Sequence, residues 1–166
     1  LHGSSAASDV YKRQSNIYSQ VLTMSKVLGI YTSNGGVPKH PVSSADVDEL
    51  GLISDKQNNR KHHGGVNKAV CVLDNNLLIK LRNEGHPIYA GSTGENLLLE
   101  GFDLDIGKVI DLGDVILEVV SAASPCYKIA DSFTDGYFDR MSHKKYPKDT
   151  RWYCKVLQPG KIRISD

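Results

Sequence analysis

Residues 106–129, IGKVIDLGDVILEVVSAASPCYKI, gather valine and isoleucine into short runs and break them at Gly107, Gly113 and Pro125. β-Branched side chains are stiff about χ1 and pack well on a pleated surface, whereas Gly and Pro interrupt regular ladders. The stretch therefore predicts two or three short strands, spaced as in a small barrel. The same punctuation recurs along the chain. KVLGIYTS (26–33) alternates as a first strand, and NGGVPKHP (34–41) supplies turn chemistry. VDELGLISD (47–55) reads as a strand bending at Gly51, and AVCVLD (69–74) as another strand. HPIYAGSTGENLLLEG (86–101) reads as a loop leading into a strand, and RWYCKVLQPGKIRISD (151–166) as a strand, a Pro-Gly turn and a strand. Only NNLLIKLRNEG (75–85) has leucine and isoleucine at helical spacing, with Gly85 as its stop. Residues 130–147 predict one or two short helices. No strand–helix–strand alternation is read. The expected fold is mainly β: a closed, mostly antiparallel β-barrel with a few short helices, spanning residues 26–166.

At 166 residues the chain has the length of one domain. Residues 1–25 are small, polar and aperiodic. They are read as a disordered leader, a candidate cloning or sequencing scar with the native start at Met24. The formal charge of +1 exerts no global pull toward nucleic acid or membrane, so an anionic ligand must be held by a local site. Neither nucleic acid nor membrane is expected as a partner, because no apolar run approaches the ~18 residues needed to span a bilayer. Three cysteines, Cys71, Cys126 and Cys154, show no CxxC spacing. That argues against a disulfide scaffold or zinc ribbon and for free thiols in a reducing compartment, with the cytoplasm as the expected location.

Three stretches carry candidate chemistry. Cys126 follows Pro125, which suits a strand end, and precedes Tyr127 and Lys128, where a cation favours thiolate; the small residues SAAS before it allow a ligand to approach closely. The alternative is a buried packing cysteine, the reading favoured for Cys71 within AVCVL and for Cys154 within RWYCKV. The loop RKHHGGVNKAV (60–70) combines Arg60, Lys61 and Lys68 with His63, Gly64 and Gly65, side chains and backbone N–H groups suited to a phosphate or another oxyanion. A transition metal on the adjacent histidines is the alternative, as is a plain turn. GSTGENLLLEG (91–101) offers Thr93, Gly94, Glu95 and Asn96 as a rim that hydrogen-bonds a polar heterocycle, or as a simple turn. No P-loop, GxGxxG or GxSxG pattern is present. His40, His86 and His143 read as exposed loop residues, HKKYPK as a solvated basic face, and Trp152 and Tyr153 as barrel closure.

In their order, KHHGGVNKAV, GSTGENLLLEGFDL, VVSAASPCYKI and RWYCKVLQPG make the chain similar to the MOSC domain family, named after the C-terminal domain of molybdenum cofactor sulfurase, and to its small bacterial members. The resemblance runs from about Lys26 to the C-terminus. It implies a β-barrel that handles the molybdenum cofactor (molybdopterin) or activated sulfur. By the same resemblance Cys126 is the metal ligand or persulfide carrier, and His63, Gly64, Gly65, Lys68, Thr93, Gly94, Glu95 and Asn96 bind cofactor; Arg60 and Lys128 are added to the cofactor-binding set for their nearby charge. The implied activity is reduction of N-hydroxylated compounds with electrons from a donor protein, since no flavin, haem or iron–sulfur motif is read in the chain. A sulfur carrier served by a sulfur-donor protein and a non-catalytic binding module are the alternatives. Two departures from the family pattern stand out. Ser54-Asp55 replaces Gly-Asp, and SAAS replaces a segment that often carries an arginine before Pro-Cys, leaving Lys128 or Arg60 to supply that charge.

Overall fold

A computed structural model describes residues 26–56 and 64–166. The expectations for residues 1–25, and for Arg60, Lys61 and His63, lie outside the described residues.

The chain opens with β1 (Lys26–Thr32), β2 (His40–Val42), β3 (Ser44–Asp48) and β4 (Gly51–Leu52). After a 3-10 turn at Val66–Lys68 come β5 (Val70–Asp74), helix α1 (Asn75–Asn83) and β6 (Leu97–Glu100). Strands β7 (Val109–Asp111) and β8 (Ile116–Ala123) follow, then 3-10 turns at Tyr127–Ser132, Thr134–Gly136 and Phe138–Met141, and finally β9 (Arg151–Gln158) and β10 (Gly160–Arg163). The strands form a seven-stranded sheet in the order β2-β1-β6-β5-β9-β8-β7 and a three-stranded sheet in the order β10-β3-β4.

Neither sheet closes on itself, which corrects the barrel expected from strand spacing. The large sheet ends in two three-residue edges, and β2 carries Pro41, which has no N–H to donate to a further strand. The turn at Pro159 does not make a hairpin either: β10 leaves the large sheet and pairs with β3, Gly160 opposite Val47 and Arg163 opposite Ser44. A second correction concerns connectivity. β5 and β6 are parallel, with Val72 opposite Leu97, and α1 lies between them in the chain, so one strand–helix–strand unit is present. A parallel pair requires such a crossover.

Helix α1 forms where its local chemistry predicts it. Asp74 caps it by accepting from the Asn76 N–H at 2.9 Å, Leu77, Leu78 and Leu81 are buried on one face, and Lys80 and Arg82 stand in the last turn where the helix dipole favours cations. The core divides into two layers around the large sheet. On one face Val70, Val72, Leu97, Leu117, Trp152 and Cys154 pack against Ala45, Val47, Leu52 and Ile162 of the small sheet. On the other face Tyr31, Leu73 and Leu98 pack against α1 and against Ile129, Phe133 and Met141 of the 3-10 turns. The odd residues Cys71 and Tyr153 also face this second side, where they cluster with Ala123.

A register shift between Val119 and Ser121 decides what β8 presents there. Val119 lies in the inter-sheet core, and without the shift Ala123, four residues on, would share that face. Instead Ala122 packs toward the inter-sheet core and Ala123 joins Cys71 and Tyr153, as expected of a bulge that re-aims side chains. The chain then leaves β8 toward Cys126 on the side of the sheet that carries the cleft.

Candidate cofactor cleft

A cleft of about 740 Å³, its open mouth included, lies on that second face. Its floor belongs to the large sheet: Cys71 stands opposite Tyr153 across β5 and β9, and Arg151 stands opposite Ala123 across β9 and β8. Its walls come from loops far apart in the chain. The 33–39 segment brings Val37 and Lys39, the Val66–Lys68 turn brings Lys68, the 91–96 loop brings Thr93 and Asn96, and the segment after β8 brings Cys126 and Lys128.

Two of these loops meet closely enough to require glycine. Gly91 has φ +89°, and a Cβ there would come within 2.4 Å of the Lys39 carbonyl oxygen; the Lys39 N–H donates to the Gly91 carbonyl at 2.9 Å. Gly94, at φ +82°, lies against Val37, which a Cβ would meet at 2.9 Å.

The acid–amide pair of the 91–96 loop braces this wall. Glu95 is 0% exposed and stands behind the wall: its carboxylate accepts from the Gly91 N–H and from the Thr93 hydroxyl at 2.5 Å. Burial raises its pKa, opposed by those hydrogen bonds. Asn96 lines the cleft while tying three elements together. Its Oδ1 accepts from the Cys71 N–H at 3.0 Å, and its Nδ2 donates to the Tyr31 carbonyl at 3.2 Å and to Asp55 at 2.9 Å. Asp55 also accepts from the Ser33 N–H at 2.9 Å and from Lys39 Nζ, in a pair whose side chains are 3% and 10% exposed.

Cys126 sits at the mouth of the Tyr127–Ser132 turn, half-buried and on the cleft surface. The other two thiols are buried. Burial pushes the Cys71 thiol up to about 11, only partly opposed by nearby Arg151, and raises Cys154 as well. Tyr153 is pushed up to about 12, chiefly by burial, with Cys71 and then Cys126 adding to the rise and Arg151 opposing it. The Lys68 ammonium lies 5.3 Å from the Tyr153 ring centroid, a cation–π contact. Five cationic side chains line the cleft, Lys39, Lys56, Lys68, Lys128 and Arg151, and no carboxylate is among the described residues of its lining.

Of the residues singled out from sequence, Lys68, Thr93, Gly94, Asn96, Cys126 and Lys128 meet in this cleft. Glu95 lies behind it, and Gly64 and Gly65 lead into the Val66–Lys68 turn without lining it. Sequence reasoning missed Lys39, Asp55, Cys71, Arg151 and Tyr153. Cys71 and Tyr153 were read as packing, and both do pack, but on the cleft side of the sheet. Arg151 had one visible signal, a cation heading the apolar strand RWYCKV. Arg151 stands across the ladder on β9 and lines the cleft together with Lys128. His86 and His143 are also less exposed than read: His86 Nδ1 accepts from the Thr134 N–H at 3.1 Å and its ring meets Phe133, while the His143 ring meets Trp152.

The family model described as the MOSC domain matches residues 59–166, about two thirds of the chain. The chain belongs to this family. It is 27% identical to the protein YiiM of Escherichia coli (strain K12), over 69% of this chain and 53% of that one, and 28% identical to YflK of Bacillus subtilis (strain 168), over 76% and 59%. It thus spans little more than half the length of these curated relatives. The fold of this MOSC domain also matches the crystal structure of YiiM from Geobacillus stearothermophilus, with a TM-score of 0.63 at 23% identity, covering 84% of this chain and 71% of that one. MOSC domains are associated in general with the molybdenum cofactor. Among the described residues no helix is long and apolar enough to cross a membrane.

Proposed function

We propose that the cleft binds the molybdenum cofactor with Cys126 as a protein ligand of the metal, and that the holoprotein reduces N-hydroxylated compounds with electrons from a donor protein. The observation that carries this reading is the placement of one half-exposed thiol in a cleft ringed by cations. Among the described residues no three His, Cys, Asp or Glu side chains converge to hold a metal ion. The Cys126 sulfur is therefore suited to completing a coordination sphere whose other ligands arrive with the cofactor, and a soft thiolate suits molybdenum. In this reading Lys68 and Lys128 of the cleft lining would hold the cofactor's anionic portion, and the 91–96 wall, braced by Glu95 and Asn96, would face its heterocycle.

When bound, the cofactor supplies a two-electron redox centre. Reduction of an N-hydroxylated compound breaks the N–O bond, consumes two electrons and two protons and releases water. On the cleft floor, burial raises the Tyr153 phenol to about 12, so it stays protonated at neutral pH and is suited to donating a hydrogen bond to a bound substrate. Asp55 holds Lys39 and Asn96 in place, and the Lys39 N–H bond to the Gly91 carbonyl joins the 33–39 and 91–96 loops.

The test is metal analysis of protein made in a cofactor-producing host. Near-stoichiometric molybdenum in the wild type, reduced at least tenfold in Cys126→Ala, supports the proposal. Metal-free protein with cyanide-labile sulfur on Cys126 would replace it with the sulfur-carrier reading, and neither metal nor labile sulfur would overturn both.

A further inference from the structure

Cys126 belongs to no strand: it lies in the stretch between the end of β8 at Ala123 and the start of β9 at Arg151. Its position therefore depends on packing and on side-chain hydrogen bonds, which tie this stretch to residues 84–92. The Ser132 hydroxyl donates to Ser92 Oγ at 2.9 Å. Thr134 donates its N–H to His86 Nδ1 and its hydroxyl to the Gly85 carbonyl, both at 3.1 Å, and Arg140 holds the Glu84 carboxylate with two bonds of 2.8 Å. The serine pair is nearest the thiol in the chain and differs from the rest. It is buried, with Ser132 5% and Ser92 6% exposed, and it lands on the loop that forms the 91–96 wall, whereas the others land at the end of α1 and just beyond.

We propose that Ser132 is a positioning residue for Cys126: through Ser92 it pins the thiol-bearing turn to the 91–96 wall. The turn is internally bonded and moves as a unit. Cys126 flanks its start, and the Cys126 carbonyl accepts from the Ile129 N–H at 3.1 Å, while Phe133, just past its end, donates to the Ala130 carbonyl at 3.0 Å. Ser92 is a fixed partner, because its Oγ also accepts from the Tyr89 N–H at 3.1 Å and its own N–H donates to the Tyr89 carbonyl at 2.9 Å. Ile129 and Phe133, on either side of Ser132 in the turn, are buried in the layer against α1. Apolar packing is non-directional, so it holds the turn down without fixing where along the wall the thiol stands. A hydrogen bond has a preferred length and angle, and a buried hydroxyl left without its partner is costly, so the serine pair supplies that register. This placement is a property of the chain itself; that it sets a metal ligand beside the cofactor's heterocycle rests on the reading under Proposed function.

The test follows alkylation of Cys71, Cys126 and Cys154 by iodoacetamide in the metal-free full chain, each thiol read separately by mass spectrometry. In Ser132→Ala the Cys126 rate should rise about fivefold, the scale of one net intramolecular hydrogen bond, with the other two rates unchanged. Cys71 and Cys154 are buried and report global opening, so a merely structural role would speed all three together, and that result overturns the proposal. Ser92→Ala should also free Cys126, and the double variant should go no further than Ser92→Ala alone, as for two partners of one bond; additive effects overturn the proposal. So does an unchanged Cys126 rate in folded Ser132→Ala. One measurement needs no variant: in the wild type the Ile129 N–H should be protected from hydrogen exchange, and exchange at the rate of an unstructured chain overturns the proposal. In cofactor-loaded protein, Ser132→Ala should also release molybdenum faster. Release at the wild-type rate from a variant whose Cys126 is freed would end the reading under Proposed function and leave the hold of Ser132 on the turn standing.

Discussion

Strand β9 serves two different environments with alternate residues. Trp152 and Cys154 point into the inter-sheet core, where both are buried with aliphatic neighbours. Arg151 and Tyr153 point to the other side, where they form part of the cleft floor. Both pairs are more than nine-tenths buried. The difference lies in what surrounds them: one side is filled by side chains of a second sheet, the other is bounded by loops that leave polar groups facing a space. Equal burial therefore conceals unequal packing, and substitutions should separate the two sides.

The largest effect is expected on the filled side. Trp152→Ala should lower stability by about 3–5 kcal/mol, the usual cost of emptying a large buried aromatic site. Urea denaturation measures it, and a loss under about 1 kcal/mol would mean that the inter-sheet core is no better filled than the cleft.

An intermediate effect belongs to the cleft floor. Burial pushes the Cys71 thiol up to about 11 in the folded chain, from the ordinary cysteine value of 9.0. The unfolded chain therefore releases this proton first, and stability falls as pH rises from about 9 to about 11; below pH 9 both states are protonated and the contribution is flat. The shift corresponds to roughly 2–3 kcal/mol at its limit. Cys71→Ala should remove this component of alkaline destabilisation, leaving that of the other buried thiol and of Tyr153. A variant with an unchanged alkaline slope would place Cys71 in contact with water.

The smallest effect on stability is expected where the proposed function is concentrated. Cys126 is half-buried, so Cys126→Ala should change stability by less than about 0.5 kcal/mol, as for a substitution away from the packed core. In the folded wild type, an alkylating agent should modify Cys126 well before Cys71 or Cys154, which react at the rate of opening. Modification of all three at one rate would erase the contrast between the two sides.

Much of this architecture is local and could be read from sequence. The runs KVLGIYT and VILEVVS became strands because β-branched residues alternate there, and NNLLIKLRN became a helix because leucines recur along one face below an aspartate cap. Cys126 stood out because proline ends a strand just before it. The tools that arrange the site were not legible. The Asn96–Asp55 bond spans 41 residues and the Arg151–Thr93 bond spans 58, and no window of local sequence contains both partners.

What the sequence by itself determined is therefore the kind and approximate limits of the longer strands and of the helix, its thiols and the stretches rich in glycine and charge, because propensity and periodicity act over a few residues. What only the tertiary structure decided is that the sheets stay open, that β5 and β6 run parallel, that a bulge turns Ala123 toward the cleft, and that an arginine from β9 lines the same cleft as Cys126. These outcomes depend on which distant strands pair and in what register. A shift of one residue exchanges the two faces of a strand, and with them core and cleft.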